Sequence, residues 1–156
     1  MSWSARRKIE SGRHERGAAA VEFALIVMPL LVLVWGIISY GVMFSYRQAL
    51  SQAAGEGARA AVAAPSASVW SASSTALGNA LGQYHQACGS ASGVQSASYL
   101  TCTVSSPTAC VGDASHNCVT VTLTYPYRSH ALIPTFPGLG ITLPSTLTFT
   151  STVEVS

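Results

Sequence analysis

The longest apolar run in the chain lies near its N-terminus and contains no charged side chain. It extends from Phe23 to Tyr46 and reads FALIVMPLLVLVWGIISYGVMFSY. A helix needs about 20 predominantly apolar residues to cross the hydrocarbon core of a bilayer, and this run meets that length. The pattern predicts one transmembrane helix over residues 18–46, solvated by the lipid bilayer.

Helix-forming residues continue beyond the apolar run as far as Pro65. Only Gly55 and Gly57 interrupt them, so we expect an extramembrane continuation of the helix over residues 47–64. Small residues recur there at every fourth position, which lets two helix backbones approach closely. An alanine-rich composition alone would produce the same spacing. The small residues, which are candidates for packing between subunits, are Ala53, Gly57 and Ala61.

The rest of the chain changes from helical to strand-like patterning. Residues 65–93 begin with a small polar linker, Ser66 to Ser74, and include a short amphipathic helix. The apolar side chains at helical spacing are Trp70, Leu77, Leu81 and Tyr84. In residues 94–156, the segments VQSASYLTCTV, CVTVTLTYPY and LTFTSTVEV are typical of strands separated by turns. We therefore expect an α+β fold, with a long N-terminal helix, a short second helix and a small antiparallel sheet.

The basic charge of the chain is concentrated in a leader, residues 1–17. Its cationic residues are Arg6, Arg7, Lys8, Arg13 and Arg16. Positive charge before a membrane helix stays in the cytoplasm, which places the C-terminal side outside the cytoplasmic membrane. Tyr40 and Tyr46 come late enough to anchor the outer interface. Basic residues are sparse beyond the leader, which argues against a nucleic-acid-binding face. They are Arg47, Arg59 and Arg128.

Four cysteines all follow the apolar run, at Cys88, Cys102, Cys110 and Cys118. An even number of cysteines in a small exported domain indicates two disulfides. Three pairings are possible, and the sequence does not choose among them. A zinc site that uses His116 is the competing interpretation, but the chain has no C-x-x-C pair, so we favour disulfides.

No residue pattern typical of catalysis emerges from the sequence. Acidic residues beyond the leader are few: Glu22, Glu56, Asp113 and Glu154. Neither a G-x-S-x-G elbow nor a glycine-rich phosphate loop is present. A Ser-His-Asp group that includes Asp113 is the remaining catalytic alternative. We expect a protein that is not an enzyme and that uses no cofactor.

The junction between the leader and the apolar run reads RGAAAVEF. Gly17 is followed at a fixed distance by Glu22 and Phe23, in the pattern G-x-x-x-x-E-F. Later marks are Pro29, the glycine before an aromatic residue (Gly41 to Phe44) and the segment RQALSQAAGEGAR. Over residues 16–63 the chain resembles the TadE-like family of pilin-like proteins from Tad (Flp) pilus systems. The junction itself resembles a type IVb prepilin processing site.

The resemblance implies that a membrane prepilin peptidase cuts between Gly17 and Ala18 and releases the leader. The new amine of Ala18 would then pair with the Glu22 carboxylate of a neighbouring subunit. Taken alone, Glu22 also fits the inner interface, where the helix N-terminus favours a carboxylate. Other candidate packing residues in the membrane segment are Pro29, Gly36 and Gly41. The implied partners are other pilin or pseudopilin subunits and the membrane assembly platform of a cell-surface pilus.

A permanently anchored exterior binding module is the alternative function. Its helix would be only a tether, and the sheet would carry a ligand groove. The two functions differ in the N-terminus of the membrane-derived chain. A processed pilin-like subunit begins at Ala18, whereas a tethered module begins at or near Met1.

Overall fold

The structure, a computed structural model, describes residues 4–134 and 143–155, with side chains from residue 17 onward. The basic side chains of the leader therefore lie outside the described residues. Two α-helices, α1 (Ser4–Ala63) and α2 (Val69–Leu81), precede four strands. The strands are β1 (Thr101–Val104), β2 (Thr108–Cys110), β3 (Asp113–Tyr125) and β4 (Leu147–Val155). The predicted α+β class is confirmed.

The chain divides after Tyr40 into two compact units. In the first unit, α1 presents apolar side chains that are at least 40% exposed from Val21 to Ile38. Helix α1 continues through Pro29 without a break. Within the described residues, one helix is long and apolar enough to cross a membrane, and it is this one.

The second unit, residues 41–156, contains an antiparallel sheet centred on β3. Strand β4 pairs with β3 from Asn117↔Val155 to Tyr125↔Leu147. The opposite edge of β3 is shared: β1 pairs with its C-terminal half and β2 with its N-terminal half. Strand β3 is 13 residues long, which is sufficient for both partners.

The two faces of the sheet differ in chemistry because side chains alternate along a strand. One face is the core, and its β3 side chains are Val119, Val121, Leu123 and Tyr125, all buried. The other face carries threonines, whose β-branched side chains suit a strand. Two cross-strand pairs on that face share hydroxyl hydrogen bonds, Thr120 with Thr152 and Thr122 with Thr150, each at 3.1 Å.

The predicted short second helix is present as α2, but the linker before it is shorter than predicted. Helix α2 begins at Val69, so the predicted linker from Ser66 to Ser74 is wrong beyond Ser68. The buried stripe shares only Leu77 and Leu81 with the predicted one, because Tyr84 lies beyond the end of α2 and is half-buried. Its members are Val69, Ser73, Leu77 and Leu81, whereas Trp70 is only half-buried. Ser73 takes an interior position because its hydroxyl donates a hydrogen bond to the carbonyl oxygen of Gly57, at 2.9 Å.

The first predicted strand is mostly a turn. Only residues 101–104 of the segment VQSASYLTCTV belong to β1. Tyr99 has a φ of 68°, which a strand does not permit, and the Ser96 hydroxyl accepts a hydrogen bond from the Leu100 amide at 3.2 Å. By contrast, β4 has the bounds of the predicted segment LTFTSTVEV, and β3 includes most of CVTVTLTYPY. Strand β2 was not predicted, because three residues show no usable alternation.

The predicted close approach of small helical residues occurs inside the chain. Ala53, Gly57 and Ala61 are buried in the second unit. A Cβ added to Gly57 would lie 3.0 Å from the Cγ and Cδ2 atoms of Leu77 on α2. The prediction that these three residues pack against other subunits is therefore wrong, because their own chain already covers them.

Replacing Gly57 by Leu should lower the free energy of unfolding of the second unit by about 1–3 kcal/mol, because the new side chain overlaps Leu77. Gly55 is the matched control, since a Cβ there has no neighbour within 4 Å. Gly55→Leu should be neutral or stabilising by up to about 1 kcal/mol, because a helical glycine is removed. Urea denaturation of the full chain in detergent, followed by circular dichroism, measures both. Equal losses would contradict this packing.

Candidate functional site

The predicted processing residues all lie on one exposed stretch of α1. Gly17, Ala18, Glu22 and Phe23 are exposed, and a Cβ added to Gly17 would meet nothing within 4 Å. Ala18 and Glu22 are four residues apart, so they lie on the same face of the helix. This face therefore carries a small, accessible junction followed by one carboxylate.

The remaining candidate packing residues of the membrane segment also lie on α1. Pro29 and Gly41 are exposed and Gly36 is half-exposed. Glycine at positions 36 and 41 leaves the helix surface open, because a Cβ at either one would meet nothing within 4 Å. Pro29 has no N–H to donate to the carbonyl of Leu25, so one helical hydrogen bond is missing in the middle of the segment. The described chain does not itself cover these positions.

A comparison with protein families identifies this stretch of helix. The model of the TadE-like protein family matches residues 17–59. We call residues 17–59 the TadE-like segment, because they are similar to this family. The match begins at Gly17, where the G-x-x-x-x-E-F pattern begins, and ends at Arg59, where RQALSQAAGEGAR ends. The resemblance predicted from the sequence is confirmed over these residues.

The match does not extend to the sheet or to α2. No curated protein and no solved structure matches the chain. What is known of the chain by comparison therefore concerns the TadE-like segment alone.

The C-terminal part of the TadE-like segment builds the core of the second unit. Tyr46 is fully buried, with its ring centroid 5.1 Å from the rings of Tyr84 and Tyr125 and 6.3 Å from that of Tyr127. The prediction that Tyr46 anchors the membrane interface is wrong, because the fold of the second unit surrounds it. Burial raises the pKa of both Tyr125 and Tyr127 above the ordinary tyrosine value. The cluster is therefore a neutral aromatic core.

Two disulfides are present, as the cysteine count predicted. Cys88 pairs with Cys102, which ties the segment after α2 to β1. Cys110 pairs with Cys118 across the hairpin formed by β2 and β3. The zinc alternative is not supported, because residues 17–134 and 143–155 contain no group of three His, Cys, Asp or Glu side chains that could hold a metal ion.

The one Ser-His-Asp group weighed from the sequence does exist in space, but its geometry is not catalytic. Ser115 Oγ and Asp113 Oδ2 both contact the same ring nitrogen, Nδ1 of His116, at 3.0 and 2.8 Å. A triad needs the carboxylate and the hydroxyl on opposite ring nitrogens. Hydrogen bonds from Ser115, and then from His116, hold the pKa of the Asp113 carboxyl below its usual value. The group orders an exposed turn at the start of β3.

Proposed function

We propose that the protein is a pilin-like structural subunit of a Tad-type pilus system, and not an enzyme. The observation that carries this proposal is the TadE-like match over a helix whose apolar side chains from Val21 to Ile38 are exposed. Apolar surface of this extent is stable only in lipid or against other apolar helices. A helix that is stable both in lipid and against other apolar helices can move from the cytoplasmic membrane into a filament.

Leader removal is the first step of the proposed pathway. A prepilin peptidase cuts after Gly17, where the exposed helix surface and the absent side chain leave the peptide bond accessible. The cut removes the cationic leader, which otherwise holds the helix at the cytoplasmic face. The N-terminus is inside and residues 41–156 are outside the membrane in this arrangement. The helix can then leave the bilayer without carrying five basic side chains through it.

Pairing between subunits is the second step. The free amine of Ala18 on one subunit and the Glu22 carboxylate of the next are the two charges that would enter an apolar bundle. Each offsets the desolvation of the other, whereas either charge alone would be strongly unfavourable. The open surfaces at Gly36 and Gly41 allow neighbouring helices to come close. The partners are other pilin or pseudopilin subunits, which the membrane assembly platform brings together.

Replacing Gly17 by Leu should prevent leader removal, because a bulky side chain blocks access to the scissile bond. Intact-mass analysis of membrane-derived protein should show a wild-type chain that begins at Ala18 and a variant that retains the leader. Gly36→Leu is the matched control, since it makes the same change on the same helix far from the cut, and it should be processed normally. A wild-type chain that begins at Met1 would instead support the tethered binding module.

Replacing Glu22 by Gln should leave cleavage intact but reduce incorporation into filaments or pilin complexes by roughly tenfold or more, because an unpaired buried amine costs about 3 kcal/mol or more. Glu56→Gln is the control. Glu56 is on the same helix but is exposed and paired with Arg59 at 3.1 Å. Quantifying the subunit in sheared filaments and in cross-linked membrane complexes measures the effect. Unchanged incorporation of Glu22→Gln would refute the pairing.

A further inference from the structure

One arginine and two phenylalanines of the second unit lie close together. The guanidinium carbon of Arg47 lies 6.0 Å from the ring centroid of Phe44 and 5.9 Å from that of Phe149. Phe44 is 54% exposed, and Phe149 is half-buried on β4. We call these three residues the aromatic rim. It joins one turn of α1 to the sheet.

The position of the rim along the chain places it close to the lipid surface. A membrane-spanning stretch of about 20 residues that begins at Phe23 ends near residue 42. Phe44 and Arg47 follow within five residues, which is less than about 8 Å at 1.5 Å per residue of helix. The polar headgroup layer is about 5–8 Å thick on each side of the hydrocarbon core. Phe44 and Arg47 therefore fall within the depth of the outer headgroups.

We propose that the aromatic rim seats the exterior unit on the outer lipid headgroups before the subunit enters a filament. The rings of Phe44 and Phe149 lie at the boundary between hydrocarbon and headgroups, and the guanidinium of Arg47 binds a lipid phosphate. The proposal rests on the membrane insertion that the proposed function includes. It adds a second contact with the bilayer, made by the sheet through Phe149.

The charge of Arg47 fits a phosphate partner. Arg47 is the only Lys or Arg between Arg16 and Arg59. No carboxylate among the described residues forms an ion pair with it, whereas Arg59 is paired with Glu56. The guanidinium is planar and carries N–H groups in a fork that matches the two oxygens of a phosphate, so Arg47 suits a bidentate phosphate contact. Basic side chains next to a membrane surface are attracted to anionic lipid for the same reason.

The aromatic rim also provides the interface anchor that Tyr46 was predicted to provide. Tyr46 was expected at the outer interface, but its ring is enclosed by other tyrosines. Phe44 is two residues earlier and points outward from the unit's core, as its exposure shows. Phenylalanine is one of the residues that interfacial segments bury at the boundary between headgroups and acyl chains. Phe44 and Phe149 are the aromatic residues of the second unit that satisfy this requirement beside Arg47.

Fluorine NMR of the full chain in lipid nanodiscs tests the proposal. The chain has four phenylalanines, Phe23, Phe44, Phe136 and Phe149, so fluorophenylalanine gives four assignable signals. Lipids that carry a gadolinium chelate on the headgroup, compared with the same lipids loaded with lutetium, broaden nearby signals in either leaflet. We expect the signals of Phe44 and Phe149 to broaden by about twofold or more, together with that of Phe23 at the inner face.

The three signals distinguish the proposal from the insertion on which it rests. Broadening of Phe23 without Phe44 and Phe149 would leave insertion standing and overturn the aromatic rim. Broadening of Phe44 alone would overturn it too, because the sheet would then be clear of the lipid. If none of the three signals broadened, the insertion itself would be wrong.

Arg47→Gln tests the phosphate contact separately. In nanodiscs of increasing phosphatidylglycerol content, the Phe149 signal of the wild type should shift progressively as Arg47 engages anionic lipid. Arg47→Gln should reduce that shift by about half or more. Arg59→Gln is the matched control and should retain the full shift, because Arg59 is 12 residues further along α1, about 18 Å away. Equal shifts in wild type and Arg47→Gln would overturn the contact.

Discussion

The solvation of one apolar helix is the constraint on which the rest of the molecule depends. Apart from the half-buried Val27, the large apolar side chains from Val21 to Ile38 are exposed along α1. Each apolar side chain removed from water contributes about 1.5–3 kcal/mol, so the helix requires lipid or the helices of other subunits. Its backbone needs no partner, because a helix satisfies its own hydrogen bonds. The only backbone exception in this stretch is at Pro29.

Beyond Gly41, the same helix packs into the core of the second unit. There its buried residues recur at helical spacing and face the core of the second unit: Met43, Tyr46, Leu50, Ala53, Ala54, Gly57, Ala58 and Ala61. Tyr46 contacts Tyr125 at one end of this stretch, and Gly57 lies against Leu77 of α2 at the other. One helix therefore contains both a stretch that is long and apolar enough to cross a membrane and the first core element of the second unit. Mutations before Gly41 should therefore change contacts with lipid or other helices, whereas mutations after it should change packing inside the second unit.

The sequence predicted the elements whose pattern is long and regular. The apolar run and the alternation along β4 are regular patterns that can be read from neighbouring residues. The presence of two disulfides follows from the even number of cysteines. Features that depend on tertiary packing were missed or misassigned. Tyr46 looks like an interface tyrosine until the fold surrounds it with Tyr84 and Tyr125. The small residues at 53, 57 and 61 do allow close approach, but no local signal shows that α2 of the same chain is the partner. Disulfide pairing likewise requires the hairpin and its register.

The central claim is that α1 is held by lipid through its exposed apolar side chains. Alkaline carbonate extraction of membranes from cells that make the full chain, followed by sedimentation, measures this most directly. The protein should stay with the membrane pellet, as an integral membrane protein does, and should be solubilised only by detergent. Release into the supernatant as a water-soluble monomer, with the basic leader still attached, would contradict it.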